Sequence, residues 1–148
     1  MAIGTVMLGA AAIISAAPNA GTEAAPSPGT FAPVSDLNTV GKNSTRNVQS
    51  FGVFNRAVGY SIPGTRDQSF SVGGYISVGD TGQGTLNAAE AANTTAYIKI
   101  LFDGTNGFQQ AIKVGTRTLS LTPDGLQGCT WELSSAADPT IVGTGPLL

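Results

Sequence analysis

Polar and apolar residues alternate along much of this chain, and the alternation predicts strands. Over residues 66–78, Phe70, Val72, Ile76 and Val78 share one face, which is the period-two pattern of a half-buried strand. Gly73-Gly74 in its middle predicts a bulge or the close approach of another backbone. Residues 96–102 set Ile98, Ile100 and Phe102 opposite Tyr97, Lys99 and Leu101, and residues 129–133 set Cys129, Trp131 and Leu133 on one face. Shorter strands are predicted at 48–54, at 58–62 before the Pro63-Gly64 turn, at 108–114, and at 116–121 before Pro123-Asp124-Gly125. Asp103-Gly104 and Asn106-Gly107 read as hairpin turns. The expected core is Phe70, Val72, Ile76, Val78, Ile98, Ile100, Phe102, Trp131 and Leu133.

One segment has no alternation. Asn87 with Glu90 three residues later has the capping-box spacing, and Ala88, Ala89, Ala91 and Ala92 favour helix. This predicts a single short helix over about residues 86–93, dependent on packing against a sheet. Many short strands at turn-marked spacing with one helix imply a mainly β fold: a β-sandwich or rolled barrel of two packed antiparallel sheets with one short flanking α-helix.

The termini differ from this body. Residues 2–17 are apolar and small, while 18–33 are rich in Pro, Ala, Gly and Ser, with prolines at 18, 26, 28 and 33. The apolar run resembles a secretory signal, but the first basic residue is Lys42, so the basic start of a signal is missing. It is also too short for a confident membrane span. The expectation is therefore an unprocessed N-terminal edge strand or arm that packs on a neighbour. The chain divides into an apolar strand plus Pro-rich arm at 1–35, a β-sandwich at 36–137, and a Gly/Pro-punctuated C-terminal arm at 138–148.

Composition sharpens the class. The 148 residues form one domain, 41% hydrophobic and only 11% charged, against about 25% charged in typical globular domains. Such a neutral surface suits a subunit covered by partners, or a secreted protein rich in Ser, Thr and Gly. Seven basic residues against nine acidic ones, with no basic cluster, exclude the usual electrostatic source of nucleic-acid binding.

Chemistry is sparse. There is no histidine, which removes the commonest general base and metal ligand. Cys129 has no partner for a disulfide or zinc site and reads as a buried strand residue. Gly41-Lys42 and Gly82-x-Gly84 lack the rest of a phosphate-binding or dinucleotide motif and read as turns. Asp80-Thr81-Gly82 matches the aspartic-protease turn, but in one copy and after Gly79 rather than a large apolar residue. Asp-x-Gly is also what a strand-to-helix turn requires. The loop from Asp103 to Gly107 offers one carboxylate where calcium wants several oxygens. The glycosylation triplets at Asn43 and Asn93 are chance matches in a Ser/Thr-rich chain. No catalytic, cofactor-binding or metal-ligating residue is assigned.

The order of elements from about residue 43 to 135 resembles major tail tube proteins of long-tailed, non-contractile (siphovirus-like) bacteriophages. The resemblance is carried by RDQSFSVGGYISVGDTGQG (66–84), a Ser/Gly-punctuated strand running into a turn. It continues in TLNAAEAANTTAYIKILFDG (85–104), a short helix leading into an inner strand, and in the closing strands from Phe108 to Ala136. It implies two packed sheets flanked by a helix, and a structural virion protein with no active site. It further implies self-assembly into hexameric rings that stack into a hollow tube made in the host cytoplasm. The implied partners are further copies of the chain, a tape measure and other tail proteins, with DNA passing through unbound and no membrane involved. A capsid decoration protein, a tail terminator and a secreted pilus- or adhesin-like β-sandwich are the alternatives.

Overall fold

The computed structural model describes residues 12–51, 60–102, 104–121, 123, 125 and 127–143, with backbone alone for 50, 51 and 60–65. In order they form β1 (Ile13–Pro18), β2 (Ala32–Pro33), β3 (Leu37–Phe51), β4 (Tyr60–Tyr75), α1 (Thr81–Ala92), β5 (Thr95–Leu101), β6 (Gly107–Ser120), β7 (Gly128–Ser135) and β8 (Thr140–Val142). All strand pairs are antiparallel, in the order β2-β1-β5-β6-β7-β4-β3, with β8 on the start of β6.

The two expected layers are halves of one sheet, and β6 joins them. Its first half, from Gly107 to Lys113, pairs with β5, while Ile112 to Ser120 pairs with β7. A register shift between Val114 and Thr116 marks the handover, and Gly115 sits inside it. A bulge bends and twists a strand, so the sheet folds over here and its halves face each other. Two expected strands, 108–114 and 116–121, are thus one.

Between the layers lie Ala16, Ala96, Ile98, Ile100, Phe108 and Ile112 from one half and Phe70, Val72, Val114, Cys129, Trp131 and Leu133 from the other. The Phe70 and Phe108 rings meet across the core at 6.0 Å between centroids. Leu86 and Ala89 of α1 close one side, and Trp131 donates its indole N–H to Asn87 Oδ1 at 3.0 Å. Of the nine expected core residues, six are buried, and Ile76 and Phe102 pack half-buried against the cluster. Val78 is 98% exposed, because β4 stops at Tyr75 and Val78 falls in the turn before α1.

The helix also differs from expectation. It starts at Thr81, with Asp80 rather than Asn87 as its N-cap, and it ends at Asn93 in the left-handed conformation (φ 53°). The glycines that read as a turn are its first residues. A Cβ on Gly82 would come within 2.4 Å of the Pro33 carbonyl oxygen, so only glycine lets the helix start pack on β2. Asn87 lies mid-helix and serves Trp131 instead.

Pro63 and Gly64 form no turn. They lie inside β4, where the pairing steps from Arg46–Arg66 to Val48–Pro63 and one extra residue is absorbed as a bulge. The expected strands at 48–54 and 58–62 are parts of one long β3–β4 hairpin, and residues 52–59 lie outside the described residues. The bulge or close approach expected at Gly73-Gly74 is present: β3 shifts register opposite them, and Gly74 abuts the Asp36 carbonyl.

The N-terminal segment is neither an edge strand nor a detached arm over its described part. β1 lies between β2 and β5, with Ala16 and Ala17 fully buried. The Pro-rich loop folds back on its own body, where Glu23 accepts hydrogen bonds from the Thr95 N–H (2.9 Å) and hydroxyl (2.8 Å). Part of the expected C-terminal arm is β8, and residues 1–11 and 144–148 lie outside the described residues.

Trp131 fills the core and anchors the helix, so Trp131→Ala is expected to cost about 3–5 kcal/mol. A fall in urea midpoint of that size would bear this out; a loss below about 1 kcal/mol would not.

Candidate assembly surface

The residues with chemical promise are structural. The Asp80 carboxylate accepts the Gln83 N–H at 2.9 Å and the Ser35 N–H at 3.2 Å. Burial pushes its pKa up, but these hydrogen bonds outweigh it and hold Asp80 below the ordinary carboxylate value. Gln83 completes the clamp: its amide donates to the Ser35 and Tyr75 carbonyls, both at 2.9 Å, and accepts from the Ser77 N–H at 3.1 Å. The Asp-Thr-Gly sequence is therefore the strand-to-helix turn. Cys129 is buried as expected, and burial pushes its thiol pKa up, with Arg117 opposing. Among the described residues there is no cluster of metal-ligating side chains, and no helix is long and apolar enough to cross a membrane.

What stands out instead is the outer face of the layer formed by β3, β4, β7 and the second half of β6. Partnered residues in antiparallel strands point to the same side, so the register defines rows. One row runs Gly41, Ser71, Glu132, Thr116, and the next runs Thr39, Gly73, Thr130, Thr118. A third carries Asn43, Ser69 and Ser134 and ends at Lys113, whose ammonium lies 4.0 Å from Glu23 at the corner. Glu132 accepts the Ser71 hydroxyl at 3.2 Å. These rows contain neither an aliphatic nor an aromatic side chain. Periodicity alone missed this face, because alternation was used to find the core; the Ser/Thr half of the same alternation is its signal.

Both sides of this layer are strand edges. Among the described residues β3 pairs only with β4, and β6 from Val114 to Ser120 pairs only with β7. Three successive antiparallel pairings separate the two edge strands, so they run in opposite directions.

The ends of the layer differ as well. At the end where β3 starts and β4 stops lie the exposed Asp36, Tyr75 and Val78, with Leu119 and Leu121 approaching the β6–β7 turn. Toward the hairpin end, Lys42, Arg46 and Arg66 occupy alternating positions of the side that faces the core further along.

No protein-family model matches the chain, and no curated protein matches it. Solved structures do match in fold. The chain is similar to a protein in the tail of an empty gene transfer agent particle refined with C6 helical symmetry, at 12% identity and a TM-score of 0.72, covering 93% of this chain and 100% of that one. It is similar to the SPP1 tail tube protein at 17% identity and a TM-score of 0.73, covering 93% of this chain and 80% of that one. A chain of the anti-feeding prophage baseplate is similar at 9% identity and a TM-score of 0.65, covering 97% and 98%. The mainly β fold with one flanking helix is thus the fold of tail tube structures.

The Asp80 cap generates a pH-dependent prediction. Its folded pKa is depressed, so its contribution is present above the unfolded value of 3.8 and is lost as pH falls through the folded value. Asp80→Ala is expected to destabilise by about 1 kcal/mol at neutral pH. Denaturation curves of the two proteins should converge in acid; a constant gap down to low pH would contradict the assignment.

Proposed function

We propose that this chain is a structural virion protein: the subunit of a bacteriophage-type tail tube, closing into six-membered rings that stack around a channel for DNA. It works in the virion tail after synthesis in the host cytoplasm, and it performs no catalysis. The carrying observation is the hydroxyl-lined outer face of the β3-β4-β7-β6 layer, with a strand edge on each side that is unpaired among the described residues. Likeness of fold to the gene transfer agent tail, refined with C6 symmetry, and to the SPP1 tail tube supports the same reading.

The physical account is direct. An unpaired strand edge is a template for another chain, and the two edges here run in opposite directions. Placing β3 of one copy beside β6 of the next therefore continues the antiparallel order. A head-to-tail contact of this kind makes a ring when its rotation closes, and the outer face then lines a channel. DNA adheres through phosphate contacts with Lys and Arg. A wall of Ser, Thr, Asn and Gly has Glu132 at its centre, and its one cation, Lys113, lies at the corner 4.0 Å from Glu23, so phosphate finds little counter-charge and DNA slides. A tape measure protein would occupy the same channel before DNA, and other tail proteins would cap the tube.

Purified protein examined by negative-stain electron microscopy across a concentration series is expected to give hollow tubes or stacked rings of uniform width. Particles that stay monomeric at every concentration, also when seeded with tail initiation components, would overturn the reading.

The channel assignment has its own test. Glu132→Lys tubes are expected to retain double-stranded DNA at about 50 mM salt and release it at about 500 mM, as phosphate contacts do, whereas wild-type tubes retain none. Equal behaviour of the two would place Glu132 outside the channel.

A further inference from the structure

Resting on the tail-tube reading, we propose that an open groove between α1 and the Pro-rich loop docks residues 1–11 of a second copy, and that this contact holds one ring to the next. The groove has a volume of about 650 Å³. It runs along α1 from Thr81 to Ala92, with Pro18, Asn19, Gly21 and Glu23 on its other side.

The groove is built before anything enters it. Asn19 Oδ1 accepts the Gly21 and Ser27 N–H groups, both at 3.0 Å, which fixes the loop. Glu23 ties the same loop to the start of β5 through Thr95. On the helix side, the exposed residues that line the groove are Thr81, Gly84, Ala88 and Ala92, none larger than threonine. Gly84 has no reason within the chain to be glycine. A Cβ there would meet nothing within 4 Å, whereas one on Gly82 would strike the Pro33 carbonyl oxygen. Glycine weakens a helix interior, and its use is to let another backbone come close. A chain lying in the groove gives Gly84 that use.

The lining also describes the occupant. Among the described residues, Glu23 is the only charged side chain of the groove, and it is already engaged by Thr95 with Lys113 at 4.0 Å. An incoming segment therefore needs no charge, and it needs apolar side chains to cover a floor of small ones. Residues 1–11, MAIGTVMLGAA, contain no charged side chain and offer Ile3, Val6, Met7 and Leu8 between small residues.

The sheet register sets this segment and the groove at opposite ends of β1. Residues 1–11 lead toward Ile13, which pairs with Leu101; Leu101 pairs with Gly107, and Gly107 with Val142. At the other end Pro18 pairs with Ala96, and both line the groove. From Pro18 back to Ile13 the chain moves away from its own groove by roughly 17 Å, at about 3.3 Å per residue. A copy displaced along the strand direction brings its groove to that end. Residues 1–11 reach about 36 Å when extended, and α1 is about 18 Å long at 1.5 Å rise per residue. The segment is long enough to leave one ring and lie along the helix of the next. Repeated from ring to ring, this is a head-to-tail contact that does not close on itself.

Tube length in electron microscopy tests the dock. Protein lacking residues 1–11, and the groove-filling variant Ala88→Trp, are each expected to give tubes shorter by about tenfold or more, the scale of a lost central interface contact, with single rings retained. Gly84→Leu is the second block: leucine favours helix over glycine, so it fills the groove while the thermal melt stays at or above that of wild type. Cross-linking identifies the occupant. Protein carrying Ile3→Cys, Val6→Cys or Leu8→Cys is mixed with protein carrying Ala88→Cys, assembled and oxidised, the native Cys129 being buried. A disulfide between two copies is the expected result. No bridge at any of the three positions, or a bridge that forms only within one chain carrying both cysteines, would overturn the inference while leaving the tube reading intact. Folded deletion and groove-filling variants that build tubes of wild-type length would do the same. Wild-type protein that forms no tube would instead overturn the reading beneath it.

Discussion

β6 is hydrogen-bonded to β5 along its first half and to β7 along its second, and the two layers of the molecule exist because one strand belongs to both. Every core contact between the layers follows from that shared strand. Phe108 and Ile112, before the register shift, face Phe70 and Trp131 of the other half. The shift at Gly115 then turns the rest of β6 toward β7, so Thr116 and Thr118 join the hydroxyl-lined face. One bulge thereby decides which residues of a 14-residue strand are core and which are surface.

The helix is tied to this sheet through amides rather than charges. Gln83 takes hydrogen bonds from or gives them to the chain at Ser35, Tyr75 and Ser77, and Asn87 receives the Trp131 indole. With α1 bearing neither an acid in its first turn nor a base in its last, its position rests on these satisfied buried polar groups and on Leu86 and Ala89. This is consistent with a chain whose charged residues number only 16 of 148 by adding seven basic and nine acidic positions. Specific placement here comes from hydrogen bonds made out of water, where they are strongest.

The strands were legible because burial on one face imposes alternation, as at Phe70 and Val72 or Trp131 and Leu133. The turn role of Asp80 was legible for a related reason: its side chain is the right length to cap a helix start. The helix boundary was not, because glycine usually ends helices, and only the nearness of the Pro33 backbone makes Gly82 necessary inside one. Pro63-Gly64 misled in the same way, since a bulge and a turn draw on the same residues. The place of residues 13–18 inside the sheet was hidden too, as Ala16 and Ala17 carry little hydrophobic weight and owe their burial to the faces they meet, Ala16 the main core and Ala17 the cluster of Tyr97, Ala111 and Phe31. The outer face and the contrast between the ends depend on register across four strands, which no single strand encodes.

A pair of strand edges that run in opposite directions has no built-in stop. Each added copy presents the same edge that the last one did, so side-chain recognition does not count subunits. In the proposed ring the number at closure is a matter of curvature, set by how sharply the layer bends at its bulges, at Gly115 in β6 and between Pro63 and Arg66 in β4. In such an assembly the bore of the channel is written in backbone angles: a chain with the same side chains and a straighter β6 would build a wider pipe.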